Sequence, residues 1–404
     1  AEMLASVVPD GWERLIPEWR LNLDWSGHIT GLNDKIYGTA TSTGDGYTLL
    51  GCVVMMWLLR GILVSAGGPL AGYGMQHQLS TRNPREAALE NWWMSIVQLV
   101  PRFLMITGIA VLGLVYFSPQ VNEMLAAGEK FDFENILPLV IRDFVPVGLV
   151  GVLLAGLLAA FMSTFDSTVN AGAAYIVNDI YKRYVNPDAP AKRYVRFGYF
   201  ASILLVVVAI VIGVFKIESI HEITTWITFG LYGGYVAPNI LKWHWWRFNG
   251  YGYFAGMIGG IIASLVPLLI WPEMNKMYIL PFSLTVSTLA SVIVCLRTRP
   301  ETDEVLESFY RTVRPWVYWR PVYKKLLQKN PKIRENVNFK RDAFNVGIGI
   351  IWQLTLMVVP ICIVIREKRT LWLSLAVLAV TSVIMKFTWY DKLGPNEMYI
   401  PKNE

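Results

Sequence analysis

The sequence predicts an all-α, polytopic membrane protein with about nine transmembrane helices. Three observations carry this. Hydrophobic residues make up 54% of the 404 and charged residues only 16%, where a soluble domain carries about a quarter charged. Uncharged or nearly uncharged runs of spanning length recur along the chain, each bounded by charge, Pro or Gly clusters. The 16 Trp and 19 Tyr suit the aromatic belts found where helices leave a bilayer.

In chain order, residues 1–45 are polar and aromatic, with Trp12, Trp19 and Trp25, and read as an extracellular segment. Apolar runs follow near 46–66, 92–117, 146–178, 197–215, 220–241, 253–271, 277–296, 344–365 and 370–389. The first is not expected to be one straight helix. Gly61, Gly67, Gly68, Pro69, Gly72 and Gly74 crowd its second half, and both residue types weaken a helix and release backbone groups. Inside a membrane that is tolerated where backbone is buried in protein or lines a cavity, and broken helices mark transporter binding sites. Arg60 stands just before the break, either paired structurally or facing the cavity to bind an anionic group. Arg102, beside Pro101 in the second run, has the same two readings. The third run is long enough to project beyond the bilayer. Residues 297–343 form a basic, aromatic connection that reads as a solvated loop with an interfacial helix touching anionic lipid heads.

Lys and Arg set the orientation. With the amino end outside, the inside connections hold 24 of these residues and the outside ones 10. The carboxyl end is then cytoplasmic, with Arg366-Glu367-Lys368-Arg369 as one basic turn on the other side.

The chemistry concentrates in 147–184, VGLVGVLLAGLLAAFMSTFDSTVNAGAAYIVNDIYKRY. Ser163, Thr164, Asp166, Ser167, Thr168 and Asn170 fall at or near membrane depth. A bilayer has no water to satisfy them, so such a cluster faces a cavity, a partner helix or an ion. Hydroxyls and a carboxylate are hard oxygen ligands for small cations. Small polar residues also occur where spans simply touch, which is the competing account for Ser167 and Thr168. The three cysteines lie in apolar runs without a disulfide or metal spacing, and the four histidines are scattered. No nucleotide-binding loop, catalytic triad or paired-carboxylate site is present, so an enzyme is not expected. A membrane-flanked basic loop does not point to nucleic acid.

Four segments carry a family resemblance. LLAAFMSTFDSTVNAGAAYIVNDIYKRY resembles the sodium-site helix of the solute:sodium symporters. GYGMQHQLSTRNPREAALENWW resembles that family's cytoplasmic loop after a broken helix, with His77 in place of the common Arg. WHWWRFNGYGYFAGMIGG and VLESFYRTVRPW follow in family order, and the four cover most of 65–315. The resemblance implies a LeuT-type fold of two inverted five-helix repeats with extra helices. It implies sodium bound at Ala160 (carbonyl), Ser163 and Thr164 (hydroxyls), with Asp166 at a position that in some relatives helps form a further cation site, its carboxylate being either an added anionic ligand or a structural partner for an arginine. Sugar carriers have an aromatic pair where this chain has Gly67-Gly68, and Lys where it has Gln98. Sugar-type recognition is therefore not expected, and Arg60, Gly67, Gly68 and Gln98 are the candidate substrate residues.

Matched to that fold, 46–241 is the second repeat, 242–296 holds two extra helices, 297–343 is the cytoplasmic loop, and 344–404 holds two more helices and a tail. The first repeat is expected to be missing from this chain: in a longer protein, on a separate polypeptide, or lost. The leading expectation is sodium-coupled symport of a small organic solute across the cell membrane. The alternative is a non-transporting membrane scaffold or sensor subunit that keeps part of the fold. Expected partners are sodium, the solute, membrane lipids and the missing amino-terminal helices.

Overall fold

The computed structural model describes residues 2–12, 19–20, 23–29, 32–33, 38–39, 42–43, 50–67, 75–127, 135–216, 232–270, 279–331, 333, 335–336 and 338–393. Among these the chain is all-helical apart from the two-residue strands Gly38–Thr39 and Ser42–Thr43, which pair antiparallel. The principal helices are α1 Leu50–Ala66, α2 Met75–Leu79, α3 Pro84–Leu112, α4 Ser118–Ala126, α5 Ile136–Phe144, α6 Val147–Tyr175 and α7 Ala191–Lys216. They continue as α8 Tyr232–His244, α9 Gly250–Ile270, α10 Ile279–Arg297, α11 Asp303–Val313, α12 Arg320–Lys329, α13 Phe339–Ile365 and α14 Lys368–Thr388.

Seven helical stretches among the described residues are long and apolar enough to cross a membrane, against about nine expected. Of the other two expected spans, the first appears as Leu50–Ala66, ending immediately before Gly67. The fifth, expected at 220–241, lies largely outside the described residues, and its described part begins α8 at Tyr232. Elsewhere helices run past the apolar stretches. α3 begins at Pro84 because Asn83 caps it: its side-chain oxygen accepts from the Glu86 amide at 2.9 Å, and Glu86 accepts from the Arg82 amide at 3.1 Å. Reciprocal capping with Pro in the first turn is a strong start signal. At its other end α3 passes through a π-helical turn, Gly113–Phe117, into α4.

The chain divides into two compact units. In the larger, α8, α9 and α10 pack most closely. Gly252, Gly256 and Gly260 on α9 face Ser287, Ser291 and Cys295 on α10, and a Cβ on Gly256 would collide with Ser291 Oγ and lie 2.9 Å from Pro238 Cγ. Ser287 Oγ donates to the Gly234 carbonyl of α8 at 2.8 Å. Small residues every fourth position let the backbones meet, which is how helices associate where lipid gives no hydrophobic drive. α13 packs on α14 and on α3. Residues of the amino-terminal segment (Leu4, Val8, Trp25 and Ile29) form a core with Val121, partly covered by Ile365 at the end of α13. Asn122 Nδ2 donates to the His28 carbonyl at 2.7 Å, tying that segment to α4.

The smaller unit is essentially the pair α6 and α7. They meet through Gly172, where a Cβ would lie 2.9 Å from Leu205 Cδ1, and through Tyr181 and Phe197, stacked at 4.1 Å.

Candidate functional site

The polar cluster lies on α6. This helix continues without a break into a π-helical stretch, Ile176–Val185, giving a helical run of 39 residues. At 1.5 Å per residue such a run is about 58 Å long, nearly twice the hydrocarbon thickness of a bilayer. Pro146 fits the start, where a missing N–H is harmless. Nothing in 147–162 breaks the helix or carries charge. Ser163 therefore comes about 24 Å along the axis, within reach of the bilayer core.

The side chains are organised by helical spacing. Thr164 Oγ1 donates to the Ala160 carbonyl at 3.1 Å. Ser167 Oγ lies 2.9 Å from the Ser163 carbonyl and 3.2 Å from the Thr164 carbonyl. Asn170 Nδ2 donates to Asp166 Oδ1 at 2.9 Å. At 100° per residue, Ala160, Ser163, Thr164, Ser167, Asn170 and Asp166 occupy an arc of roughly 160°, with Ser163 near its middle. All six are exposed. α7 covers the helix further along, at Ala173 and Val177, and leaves the cluster bare.

Two of the expected sodium ligands, the Ala160 carbonyl and the Thr164 hydroxyl, are thus adjacent. The hydroxyl spends its proton on the carbonyl and keeps lone pairs for an outside group. The donor set is all hard oxygen, which fits a small hard cation. Such ions take about six oxygens, and one convex helix face supplies only part of a shell. Among the described residues the hydrogen-bond partner of the Asp166 carboxylate is Asn170.

Of the substrate candidates, Arg60, Gly67 and Gln98 stand in the larger unit. Arg60 lies on α1 with its guanidinium 4.4 Å from the Tyr232 ring centre and 5.2 Å from that of Trp57, while its Nε is buried with no hydrogen-bond partner among the described residues. The two ring contacts are cation–π in kind. Gly67 is buried beside Asn239, and a Cβ there would meet Asn239 Cβ at 3.2 Å. His244, at the end of α8, lies with Nε2 3.1 Å from the Ala66 carbonyl, so an Nε2-protonated ring caps the carboxyl end of α1. In the sequence His244 is only one of four scattered histidines, and no local pattern marks it as a cap. Gln98 is exposed on α3. Gly68 lies outside the described residues.

Comparison with known proteins follows the same lines. The sodium:solute symporter family model matches residues 85–260, from the first turn of α3 into α9. The human sodium/myo-inositol cotransporter is 24% identical over 303 residues, covering 67% of this chain and 39% of the relative. The Vibrio parahaemolyticus sodium/glucose cotransporter is 29% identical over 185 residues, covering 43% of this chain and 33% of the relative. The Haemophilus influenzae sodium/proline symporter is 23% identical over 211 residues, covering 50% of this chain and 40% of the relative. The chain thus aligns with well under half the length of these curated relatives.

Proposed function

Starting from a multi-pass membrane chain whose residues 85–260 match the sodium:solute symporter family, we propose that it forms part of a sodium-coupled symporter of a small organic solute. The observation that carries the reading is the arc of hard oxygens on α6, set in a helix otherwise fit for lipid. The coupling ion sits against the Ala160 carbonyl and the Ser163 and Thr164 hydroxyls, with Asp166 as an added anionic ligand. One helix face gives too few ligands, so the remaining oxygens come from further helices that cover α6, either in the same polypeptide or in a second one. Arg60, Gly67, Gly68 and Gln98 remain the candidates for solute contact.

On this reading residues 46–241 act as one of two five-helix repeats, and the protein lies in the cell membrane with residues 1–45 outside and the carboxyl tail in the cytoplasm. The relatives named above carry inositol, glucose and proline respectively. Polyols, sugars and small amino acids are therefore the panel to try first.

The experiment is uptake of that panel into vesicles containing the protein as its cell makes it, under an inward sodium gradient and with choline in its place. Sodium-dependent accumulation of one solute supports symport. Equal flux in both media for every solute, from protein that is folded and inserted, rejects it in favour of the scaffold or sensor reading.

A further inference from the structure

The segment 297–341 holds twelve Lys and Arg against five Asp and Glu, and its fold shows where that excess is presented. α11 and α12 form a two-helix module with its own core of Leu306, Tyr310, Trp319, Val322 and Leu326. Two of the three acidic residues of α11 pair with lysines of α12, and Glu304 is exposed. Lys325 Nζ bonds Asp303 at 2.7 Å and Lys329 Nζ bonds Glu307 at 2.6 Å. Arg320 and Lys324, one turn apart on α12, are exposed.

The module is clamped at the level where apolar helices end. Trp319 Nε1 donates to the Trp243 carbonyl at 2.8 Å, and the Tyr318 amide to the His244 carbonyl at 3.1 Å, both at the end of α8. The Trp316 ring lies 4.3 Å from that of Phe339, the first residue of α13. The connecting loop thus lies beside the first residue of α13, a helix long and apolar enough to cross a membrane. It exposes Trp316, Val317 and Tyr318 at 41%, 53% and 68%, between Arg314 and Arg320. Arg314 and Val317 have φ of 49° and 79°. A β-branched residue in the left-handed region is strained, and strain of this kind persists where the surroundings impose it, often at binding segments.

We infer that the Trp316–Tyr318 loop and the Arg320/Lys324 face of α12 bind the headgroups of anionic phospholipids in the bilayer that the chain itself spans. The aromatic and valine side chains enter the headgroup layer, as amphipathic rings do. The cations meet lipid phosphates, each changing occupancy about fivefold near an anionic surface. The pairing across α11 and α12 neutralises Asp303 and Glu307 and leaves Arg320 and Lys324 as the exposed cations of that helix face.

The test is hydrogen exchange of amides 314–324 in the full chain held in lipid nanodiscs, of phosphatidylcholine alone or with phosphatidylglycerol added. Exchange should slow in the anionic discs and recover in high salt. The R320Q/K324Q variant should reduce the surface-bound population about thirtyfold while exchange in α9 and α10 stays as in the parent. Equal exchange in the two discs overturns the inference, and that comparison needs no variant. Equal protection in neutral discs on adding inorganic phosphate also overturns it, in favour of a soluble anion.

Discussion

Replacing Ser163 by Ala and Thr164 by Val together separates an ion site from a packing feature. The structural loss is small. Thr164 Oγ1 gives one bond to the Ala160 carbonyl at 3.1 Å, and that carbonyl keeps its backbone N–H partner from the helix ladder. Ser163 is exposed. Removing the hydroxyls strands no buried group, so stability should fall by no more than about 1 kcal/mol. The ionic loss is larger. A hydrogen-bond-type contact to a charge is worth about 1.5–3 kcal/mol, and each 1.4 kcal/mol is about tenfold in affinity. Two such ligands give a combined weakening of at least about a hundredfold. The assay is the sodium concentration for half-maximal uptake, measured beside the thermal denaturation midpoint. We expect the sodium requirement to rise at least about a hundredfold while the midpoint moves little. An unchanged sodium requirement in folded protein would refute the assignment. A collapse of stability with unchanged sodium response would make the two hydroxyls packing groups.

Three other outcomes follow from the packing and charge described above. Gly256→Ala forces a Cβ into Ser291 Oγ and to 3.0 Å from the Ser287 carbonyl. The cost should be about 1–3 kcal/mol, read as a lowered denaturation midpoint, whereas Gly148→Ala, with nothing within 4 Å, should not lower it. Arg60→Lys keeps the charge but loses the planar stack on Tyr232 at 4.4 Å; solute KM should rise while the sodium requirement stays, and an unchanged KM would leave Arg60 a packing residue. The Lys325 ammonium beside Asp303 holds its carboxyl below the usual aspartate range. A depressed carboxylate stabilises the folded form above its unfolded value and loses that contribution as pH falls through the folded one. The α11–α12 module should hold at neutral pH and loosen only below the ordinary aspartate range, with D303N abolishing that step. A midpoint above that range in exchange measurements would contradict the pairing.

Much of the helical frame was legible because lipid leaves few options. Apolar length alone located 253–271 and 344–365, found as Gly250–Ile270 and Phe339–Ile365. The break after Ala66 was legible from Gly67-Gly68-Pro69. Helix starts were less so. Lys192, Arg193 and Arg196 open α7 inside the helix, since long cationic stems let charge reach water without ending a span. The Ser283–Ser287–Ser291–Cys295 and Gly252–Gly256–Gly260 rows each follow a four-residue spacing in the sequence, but that the two helices meet there appears only once they are placed together. At the candidate site, the Thr164–Ala160 contact follows from spacing within one helix and could be read directly. The clamp from Trp319 to Trp243 joins residues 76 positions apart, and no local pattern encodes it.

Whether the polar face of α6 lines a water-filled, sodium-binding cavity is tested most directly at Ser167, on the same arc but outside the expected ligand set. In the protein as its cell makes it, with Cys52 replaced by Ser, Ser167→Cys is treated with a charged, membrane-impermeant thiol reagent with and without sodium. Cys295 and Cys362 are buried and provide a quiet background. The account predicts labelling from water in choline medium and protection when sodium is added. Labelling only by a lipid-soluble reagent, indifferent to sodium, would place this face against acyl chains and contradict the sodium site.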